Sequence, residues 1–250
     1  MSKILLLGAS GYIGSSFGAE LARRDCNFIS LSRSKVNYCN FEILRQYIRE
    51  LGGIDFLINA AGFAGKPNVE QCEVKREETL QGNLLLPQML SHLAAAEDFR
   101  WLQIGSGCIY DGDNGGAGFT EEDEPNFSFK YDNCSFYSGV KAVSEAYLKE
   151  DPRCYVARLR IPFDEHDRPR NYIRKLLTYP KTYDNINSVS HIGDFVRTSL
   201  DLYERDCPTG IYNITNEGSI STREVVAMIQ KILNPDREFN YFVNDEEFYR

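Results

Sequence analysis

Long apolar runs and an excess of positive charge are both missing from this 250-residue sequence. The first apolar run, Ile4 to Leu7, is too short before its glycine for a signal peptide or a membrane span. We therefore expect a cytoplasmic protein with no membrane partner. The formal net charge of -8 argues against a nucleic-acid partner, because binding a phosphate backbone needs a basic surface.

Cysteine and histidine usage excludes two further kinds of site. The seven cysteines are an odd number and include no C-x-x-C pair, which is typical of reduced thiols rather than of disulfides or a zinc site. His92, His166 and His191 show no metal-ligand spacing, so we expect no metal. The length permits one large α/β unit, or a main domain with a smaller appendage.

A glycine-rich turn follows the first predicted strand, Lys3 to Leu7, and a helix is predicted from it to about Arg24. Strand, glycine turn and helix are the context that a dinucleotide-binding fingerprint requires, since the turn lets backbone approach a pyrophosphate at a helix N-terminus. Such turns also occur without a ligand. The predicted cofactor-binding residues of this turn are Gly8, Ser10, Gly11, Tyr12, Ile13 and Gly14.

The second predicted strand, Asn27 to Leu31, ends in a basic turn. An NAD site would place an acidic residue on the ribose hydroxyls here. The sequence has Arg33 and Lys35 instead, which suits a 2′-phosphate and favours NADP. Two solvated turn cations are the alternative.

Strands and helices go on alternating, which predicts an α/β fold with a Rossmann-type, doubly wound parallel sheet. We predict an NADP-binding domain over 1–159 and a small C-terminal lobe over 160–250, mainly substrate-binding and partly interleaved with the first. Residues 111–133 are predicted to be a long active-site loop or lid. Further predicted strands are 54–58, 101–104, 154–159 and 211–214, and further helices are 41–51, 69–96, 136–149, 192–203 and 221–233. Small residues after the third strand let backbone lie against a dinucleotide, and this segment is Asn59, Ala60, Ala61 and Gly62.

Tyr137 and Lys141 are four residues apart at the start of a predicted helix, so they share one face. A neighbouring ammonium favours the phenolate and moves the pKa of a tyrosine towards neutral pH. Tyr137 then becomes a usable proton donor to a carbonyl. Without a cofactor, the same pair is more often a solvated helix face.

In order along the chain, the glycine turn, the segment 59–62, Ser106 and the Tyr137–Lys141 pair resemble the extended short-chain dehydrogenase/reductases. The resemblance implies NADPH as hydride donor, with Ser106 and Tyr137 bonding a substrate carbonyl or carbinol. It implies that Lys141 holds the nicotinamide ribose and lowers the pKa of Tyr137. Asn83 matches the asparagine that braces the active site in the family, and we place it among the substrate-binding residues.

Longer segments, at 59–73, 107–110, 118–127, 135–138 and 169–175, resemble the bifunctional 3,5-epimerase/4-reductases of nucleotide-rhamnose synthesis. More distantly, the chain is similar to dTDP-4-dehydrorhamnose reductases and GDP-fucose synthases. The resemblance implies conversion of an NDP-4-keto-6-deoxy-D-glucose to NDP-L-rhamnose, with a nucleotide sugar as partner and a homodimer as one expected assembly. By motif, the epimerisation pair falls on Cys108 and Lys175. Substrate contacts are expected at Arg170 and Asn171, and Arg168 and Arg174 are further candidates for the pyrophosphate.

The chemistry of a 4-keto sugar fits these residue types. Removing the acidic hydrogen at C3 or C5 gives an enolate whose charge rests on the C4 oxygen, where Ser106 and Tyr137 would donate hydrogen bonds. A thiol and an amine with pKa values near neutrality can move protons in either direction. Several alternatives stay open: Cys108 as a buried apolar residue, Lys175 and the arginines as a solvated face, a reductase without epimerase activity, and a non-catalytic NADP-binding regulatory subunit. The sequence does not decide between UDP and dTDP.

Overall fold

Strands and helices alternate over residues 3–159, and four strands of only two residues each are among the elements that follow. The computed structural model describes residues 2–234 and 236–243, so 244–250 of the predicted lobe lie outside the described residues. The strands are β1 (Lys3–Leu7), β2 (Asn27–Leu31), β3 (Phe56–Asn59), β4 (Arg100–Ser106), β5 (Cys154–Leu159), β6 (Pro162–Phe163), β7 (Ile186–Asn187), β8 (Ser190–His191), β9 (Gly210–Asn213) and β10 (Ile220–Ser221). The α-helices are α1 (Tyr12–Arg23), α2 (Phe41–Glu50), α3 (Gln71–Val74), α4 (Arg76–Leu80), α5 (Leu86–Glu97), α6 (Phe136–Leu148), α7 (Tyr172–Thr178), α8 (Ile192–Glu204) and α9 (Thr222–Ile232).

Six strands form the main sheet in the order β2-β1-β3-β4-β5-β9. β1 pairs in parallel with both β2 and β3, β3 pairs in parallel with β4, and β5 does so with β9. The strand order reverses at β1 and β3, and such switch points are where doubly wound sheets bind ligands, beyond the carboxyl ends of the strands. The predicted α/β class and parallel sheet are confirmed.

Apolar side chains on both faces of its strands explain why the main sheet is buried between helices. Leu5, Leu6 and Leu7 of β1 are fully buried on both faces of the sheet, as expected for a parallel strand covered by helices on each side. On one face, Leu5 and Leu7 pack in a core that includes Trp101 of β4 and Leu90 of α5. This core packs one face of β1, β3 and β4 against helices that include α5.

The predicted helix over 69–96 is interrupted, and this prediction was wrong. α3 ends at Lys75, whose backbone angles of φ -97° and ψ 60° leave the helical region. A π-helical turn, Gln81–Leu85, then separates α4 from α5. Pro87 lies in the first turn of α5, where a missing N–H costs nothing.

The described chain divides into two compact units. The first holds Met1–Arg158 and Val196–Ile214, and the second holds Leu159–Phe195 and Thr215–Arg250. Within the second unit, β6 pairs in parallel with β8, β10 pairs antiparallel with β7, and Leu176, Val226 and Ile229 form a small core. A substrate-binding role for this unit stays a prediction. No helix among the described residues is long and apolar enough to cross a membrane.

Candidate active site

The glycine turn after β1 is built by close backbone contacts. Gly8 has φ +77°, and a Cβ there would lie 2.5 Å from the backbone nitrogen of Ala61. Gly11 caps α1 and donates its N–H to the Gly8 carbonyl at 2.9 Å. No side chain caps α1 and its first turn has no acidic residue, so the partial positive charge of its N-terminus is not neutralised by the protein. This arrangement fits a pyrophosphate.

The third glycine of the motif gives a test of this packing. A Cβ on Gly14 would lie 2.1 Å from the Gly8 carbonyl oxygen, which is backbone and cannot move aside. We expect Gly14→Ala to lower the free energy of unfolding by about 3 kcal/mol, by overpacking. Gly18→Ala, on the same helix, is the matched control, because its Cβ would meet only the Leu6 side chain at 3.8 Å. That control should gain up to about 1 kcal/mol from helix propensity. Equal urea midpoints for the two variants would contradict this prediction.

The end of β2 carries the predicted 2′-phosphate residue. Arg33 and Lys35 are both exposed, and no acidic residue lies between Leu31 and Cys39. β2 is the neighbour of β1, so Arg33 follows a strand end on the same edge of the sheet as the glycine turn. A positively charged side chain at this edge of the sheet, next to the glycine turn, fits a phosphate on the adenosine ribose.

Two predicted ligand-binding asparagines bond to protein groups instead. Asn59 is fully buried, and its side chain bonds Gln103 and the backbone N–H of Ala61. The cofactor contacts predicted for the segment 59–62 stay a prediction. Asn83 is 4% exposed, accepts the Phe63 N–H at 3.1 Å and donates to the Phe63 carbonyl at 2.6 Å. Asn83 thus braces the turn after β3, and its predicted place among the substrate-binding residues stays a prediction.

Helix α6 presents the Tyr-x-x-x-Lys pair to the end of β4. Ser135 caps the helix by accepting the Ser138 N–H at 3.2 Å. One turn after Tyr137, the Lys141 side chain is 9% exposed and its Nζ donates to the Ile104 carbonyl at 2.7 Å. The helix thus fastens its lysine to a strand that ends two residues later at Ser106.

The residues after Ser106 turn back towards α6. The Ser106 hydroxyl accepts the N–H of Cys108 at 3.3 Å and so caps a 3₁₀ turn, Gly107–Ile109, which packs on α6. Cys108 is half-buried rather than part of the apolar core. Burial lowers the pKa of Lys141, and the nearby Cys108 and Glu145 oppose that shift. A buried ammonium with few counter-charges acts strongly on any neighbouring acid.

The loop at 111–133, which is predicted to be an active-site loop or lid, is fastened to the sheet. The Tyr110 ring stacks on Phe119 with centroids 4.4 Å apart, and its hydroxyl donates to the Asp123 carbonyl at 2.7 Å. From β9, the Asn213 N–H donates to Glu121 at 2.8 Å. The chain between Ser106 and Tyr137 therefore makes an ordered excursion.

A buried ion pair joins this loop to α6 and gives a second test. Arg158 and Glu145 side chains are 2% and 7% exposed and form two hydrogen bonds of 2.9 and 2.6 Å. Arg158 also donates to the Thr120 carbonyl at 3.3 Å. We expect Arg158→Met to cost about 3–5 kcal/mol in a urea unfolding experiment, because it leaves a buried carboxylate without its partner.

The matched control for this prediction is Lys130→Gln, which removes a pair with Glu124 whose side chains are 58% and 64% exposed. Exposed pairs contribute about 0–1 kcal/mol. A loss in the Arg158 variant no larger than in this control would show that the buried pair does not hold the loop.

The second unit carries the remaining predicted residues. Lys175, on α7, is half-buried, and burial and the nearby Arg170 lower its pKa, which is the direction a proton-transferring amine needs. Asn171 is 2% exposed, caps α7 by accepting the Ile173 N–H, and donates to the carbonyls of Asp164 and His166. These bonds hold the start of α7, and a substrate contact of Asn171 stays a prediction. Arg174 pairs with Asp167 on the surface.

Sequence reasoning missed three polar residues that organise the first unit: Gln103, Glu145 and Arg158. A signal exists for two of them, since Gln103 and Arg158 each interrupt an otherwise apolar strand. Such residues are rarely buried without a partner. Among the described residues, no group of three or more acidic, cysteine or histidine side chains could hold a metal.

Comparisons with known proteins agree with this geometry. A bifunctional dTDP-4-dehydrorhamnose 3,5-epimerase/dTDP-4-dehydrorhamnose reductase of Arabidopsis thaliana is 34% identical over 197 residues, 76% of this chain and 64% of that protein. A trifunctional UDP-glucose 4,6-dehydratase/UDP-4-keto-6-deoxy-D-glucose 3,5-epimerase/UDP-4-keto-L-rhamnose-reductase of the same plant is 30% identical over 251 residues, 98% of this chain and 36% of that protein. The chain thus spans less than two thirds of either relative.

Structural comparison gives the same result. The L780 UDP-rhamnose synthase of Acanthamoeba polyphaga mimivirus matches with a TM-score of 0.89 at 25% identity, over 99% of this chain and 86% of that one. Other solved structures that share the fold hold NADP or NAD. The family model described as the RmlD substrate binding domain matches residues 2–244. The chain therefore belongs to the RmlD family, a family of nucleotide-sugar 4-keto reductases and rhamnose synthases.

Proposed function

We propose that this chain is an NADPH-dependent enzyme that converts an NDP-4-keto-6-deoxy-D-glucose to NDP-L-rhamnose, by 3,5-epimerisation followed by reduction at C4. The observation that carries the proposal is the buried Lys141 ammonium, 2.7 Å from the Ile104 carbonyl and one helical turn from Tyr137. Ile104 belongs to the strand that ends in Ser106, at the sheet edge that also carries the glycine turn. The family and the plant relatives support the same class of substrate.

In the reduction, bound NADPH supplies the hydride that C4 of the sugar receives. Tyr137 donates its phenolic proton to the C4 oxygen, and the Ser106 hydroxyl donates a hydrogen bond to it. Lys141 makes that proton transfer easier, because a neighbouring ammonium stabilises the phenolate that remains. A ketone, a hydride and a proton thus give the secondary alcohol.

In the epimerisation, the same two donors stabilise an enolate at the C4 oxygen. One member of the pair Cys108 and Lys175 removes a proton from C3 or C5, and the other returns a proton to the opposite face. A lysine whose pKa is lowered by burial and by Arg170 holds more of the neutral amine at neutral pH than an exposed lysine does. A reductase that acts on an already epimerised sugar is the alternative.

Incubation with NADPH and either UDP- or dTDP-4-keto-6-deoxyglucose tests the proposal. We expect NADPH oxidation and a product that NMR identifies as the L-rhamno sugar, and the nucleotide that turns over faster identifies the base. Turnover of the epimerised ketone alone would favour the plain reductase. No NADPH oxidation with any of these sugars would refute the proposed function and favour a regulatory subunit.

A further inference from the structure

A polar side chain lies in the interior of β4. Gln103 is 4% exposed between Leu102, which is fully buried, and Ile104. A buried carboxamide is costly unless its oxygen and nitrogen are both paired. Both groups of Gln103 are paired, and their partners are residues of the candidate active site.

The partners form a continuous chain of hydrogen bonds. The Ala61 N–H donates to Asn59 Oδ1 at 3.2 Å, and Asn59 Nδ2 donates to Gln103 Oε1 at 2.7 Å. Gln103 Nε2 then donates to the Ile104 carbonyl at 2.9 Å, which Lys141 Nζ approaches at 2.7 Å. All amide donors point in one direction along this chain, so each bond polarises the next.

Two donors on one carbonyl oxygen constrain the lysine. A carbonyl has two lone pairs, and Gln103 uses one of them, which leaves a single direction for the Lys141 ammonium. Lysine has a long flexible stem, so its position depends on such contacts. The other titratable groups that act on Lys141 are Cys108 from the 3₁₀ turn and Glu145 from its own helix.

We infer that Gln103, itself held by Asn59, is a positioning residue that fixes the direction of the Lys141 ammonium on the side of α6 that carries Tyr137. This inference rests on the proposed function for its role in catalysis. Gln103 touches neither substrate nor cofactor in this account and acts through Lys141.

The test is Gln103→Met, which keeps the length of the side chain and removes both polar groups. At saturating NADPH and sugar, kcat should fall by about 10–100-fold while KM for the sugar changes little, as for loss of a transition-state contact. Reduction is lost as pH rises through the pKa of Tyr137, because the phenol must carry its proton. A misplaced ammonium lowers that pKa less. The alkaline limb of the pH profile, where kcat falls as the pH rises, should therefore move to a pH about 0.5–1 unit higher.

Two further variants keep the outcome decisive. Leu102→Ala removes a buried side chain that points to the opposite face of the same strand, so it should lower stability and leave the alkaline limb in place. Gln103→Glu keeps the acceptor for Asn59, loses the donor to Ile104 and adds an anion near Lys141, so it should move the limb in the same direction as Gln103→Met. A limb that stays at the wild-type pH in both Gln103 variants overturns the inference.

Cofactor affinity separates this inference from the proposed function. NADPH dissociation constants are measured without sugar for the wild type, Gln103→Met, Lys141→Met and the double variant. If Gln103 acts through Lys141, the double variant should bind NADPH no more weakly than Lys141→Met alone. If the two residues act independently, the factors by which the single substitutions raise the dissociation constant should multiply in the double variant. Multiplied losses, or no loss in Gln103→Met, contradict the inference even if the enzyme proves inactive on every 4-keto sugar.

Discussion

Replacing Tyr137 by phenylalanine is expected to lower kcat for reduction of a 4-keto-6-deoxy sugar nucleotide by about 10²–10⁴-fold, the usual contribution of a general acid. The change removes one oxygen and keeps the ring, so α6 should still form and NADPH should still bind. Stopped-flow loss of NADPH absorbance under saturating conditions measures the effect. The same variant should slow deuterium exchange at C3 and C5, because the enolate loses one of its two donors.

The matched control is Tyr131→Phe, in the loop just before α6. Tyr131 is 48% exposed, and its ring lies near Lys130, so it offers the same chemical change beside a lysine without a buried site. Its kcat should stay within about twofold of the wild type, as for a surface residue outside the chemistry. If the Tyr137→Phe enzyme is as active as this control, the Tyr137 hydroxyl is not the proton donor.

Replacing Cys108 by alanine is expected to stop solvent deuterium from entering C3 and C5, while reduction of the already epimerised ketone stays within about threefold of the wild type. The thiol is the proposed acid or base for the epimerisation only, and the carbonyl donors Ser106 and Tyr137 remain. NMR of the sugar nucleotide in deuterated buffer measures exchange, and NADPH oxidation measures reduction. Because the two readouts come from one sample, a folding defect would lower both together.

Cys26→Ala is the control for the loss of a thiol. Cys26 is half-buried in the first unit, and burial raises its pKa, so it is a poor proton acceptor at neutral pH. Exchange in this variant should match the wild type. Normal exchange in Cys108→Ala would end the epimerase assignment and leave the reductase assignment intact.

The regular elements were predictable where local signals determine them. β1 and β2 have the predicted bounds, because each is a short run of apolar residues closed by a turn. α9 begins with a capping box, another local signal, in which Ser221 accepts the Glu224 N–H. These features depend on residues within a few positions of one another.

Features that depend on distant contacts were not predictable. The π-helical turn at 81–85 contains Asn83, whose partner Phe63 is 20 residues away in the chain. Asn59 was predicted to bind a ligand from its place in the segment 59–62, and Asn171 from the resemblance of the segment 169–175. Only the positions of Gln103, 44 residues from Asn59, and of Asp164 reveal that their side chains are already bonded.

The central claim is that Tyr137 and Lys141 serve hydride transfer to C4 of a nucleotide-bound 4-keto sugar. NADPH carrying deuterium at C4 of its nicotinamide tests it directly, with NMR of the sugar product. If the claim is correct, deuterium enters C4 of the L-rhamno sugar with the wild type, and it does so about 10²–10⁴-fold more slowly with Tyr137→Phe. Cofactor oxidation with no deuterium at that carbon would contradict it.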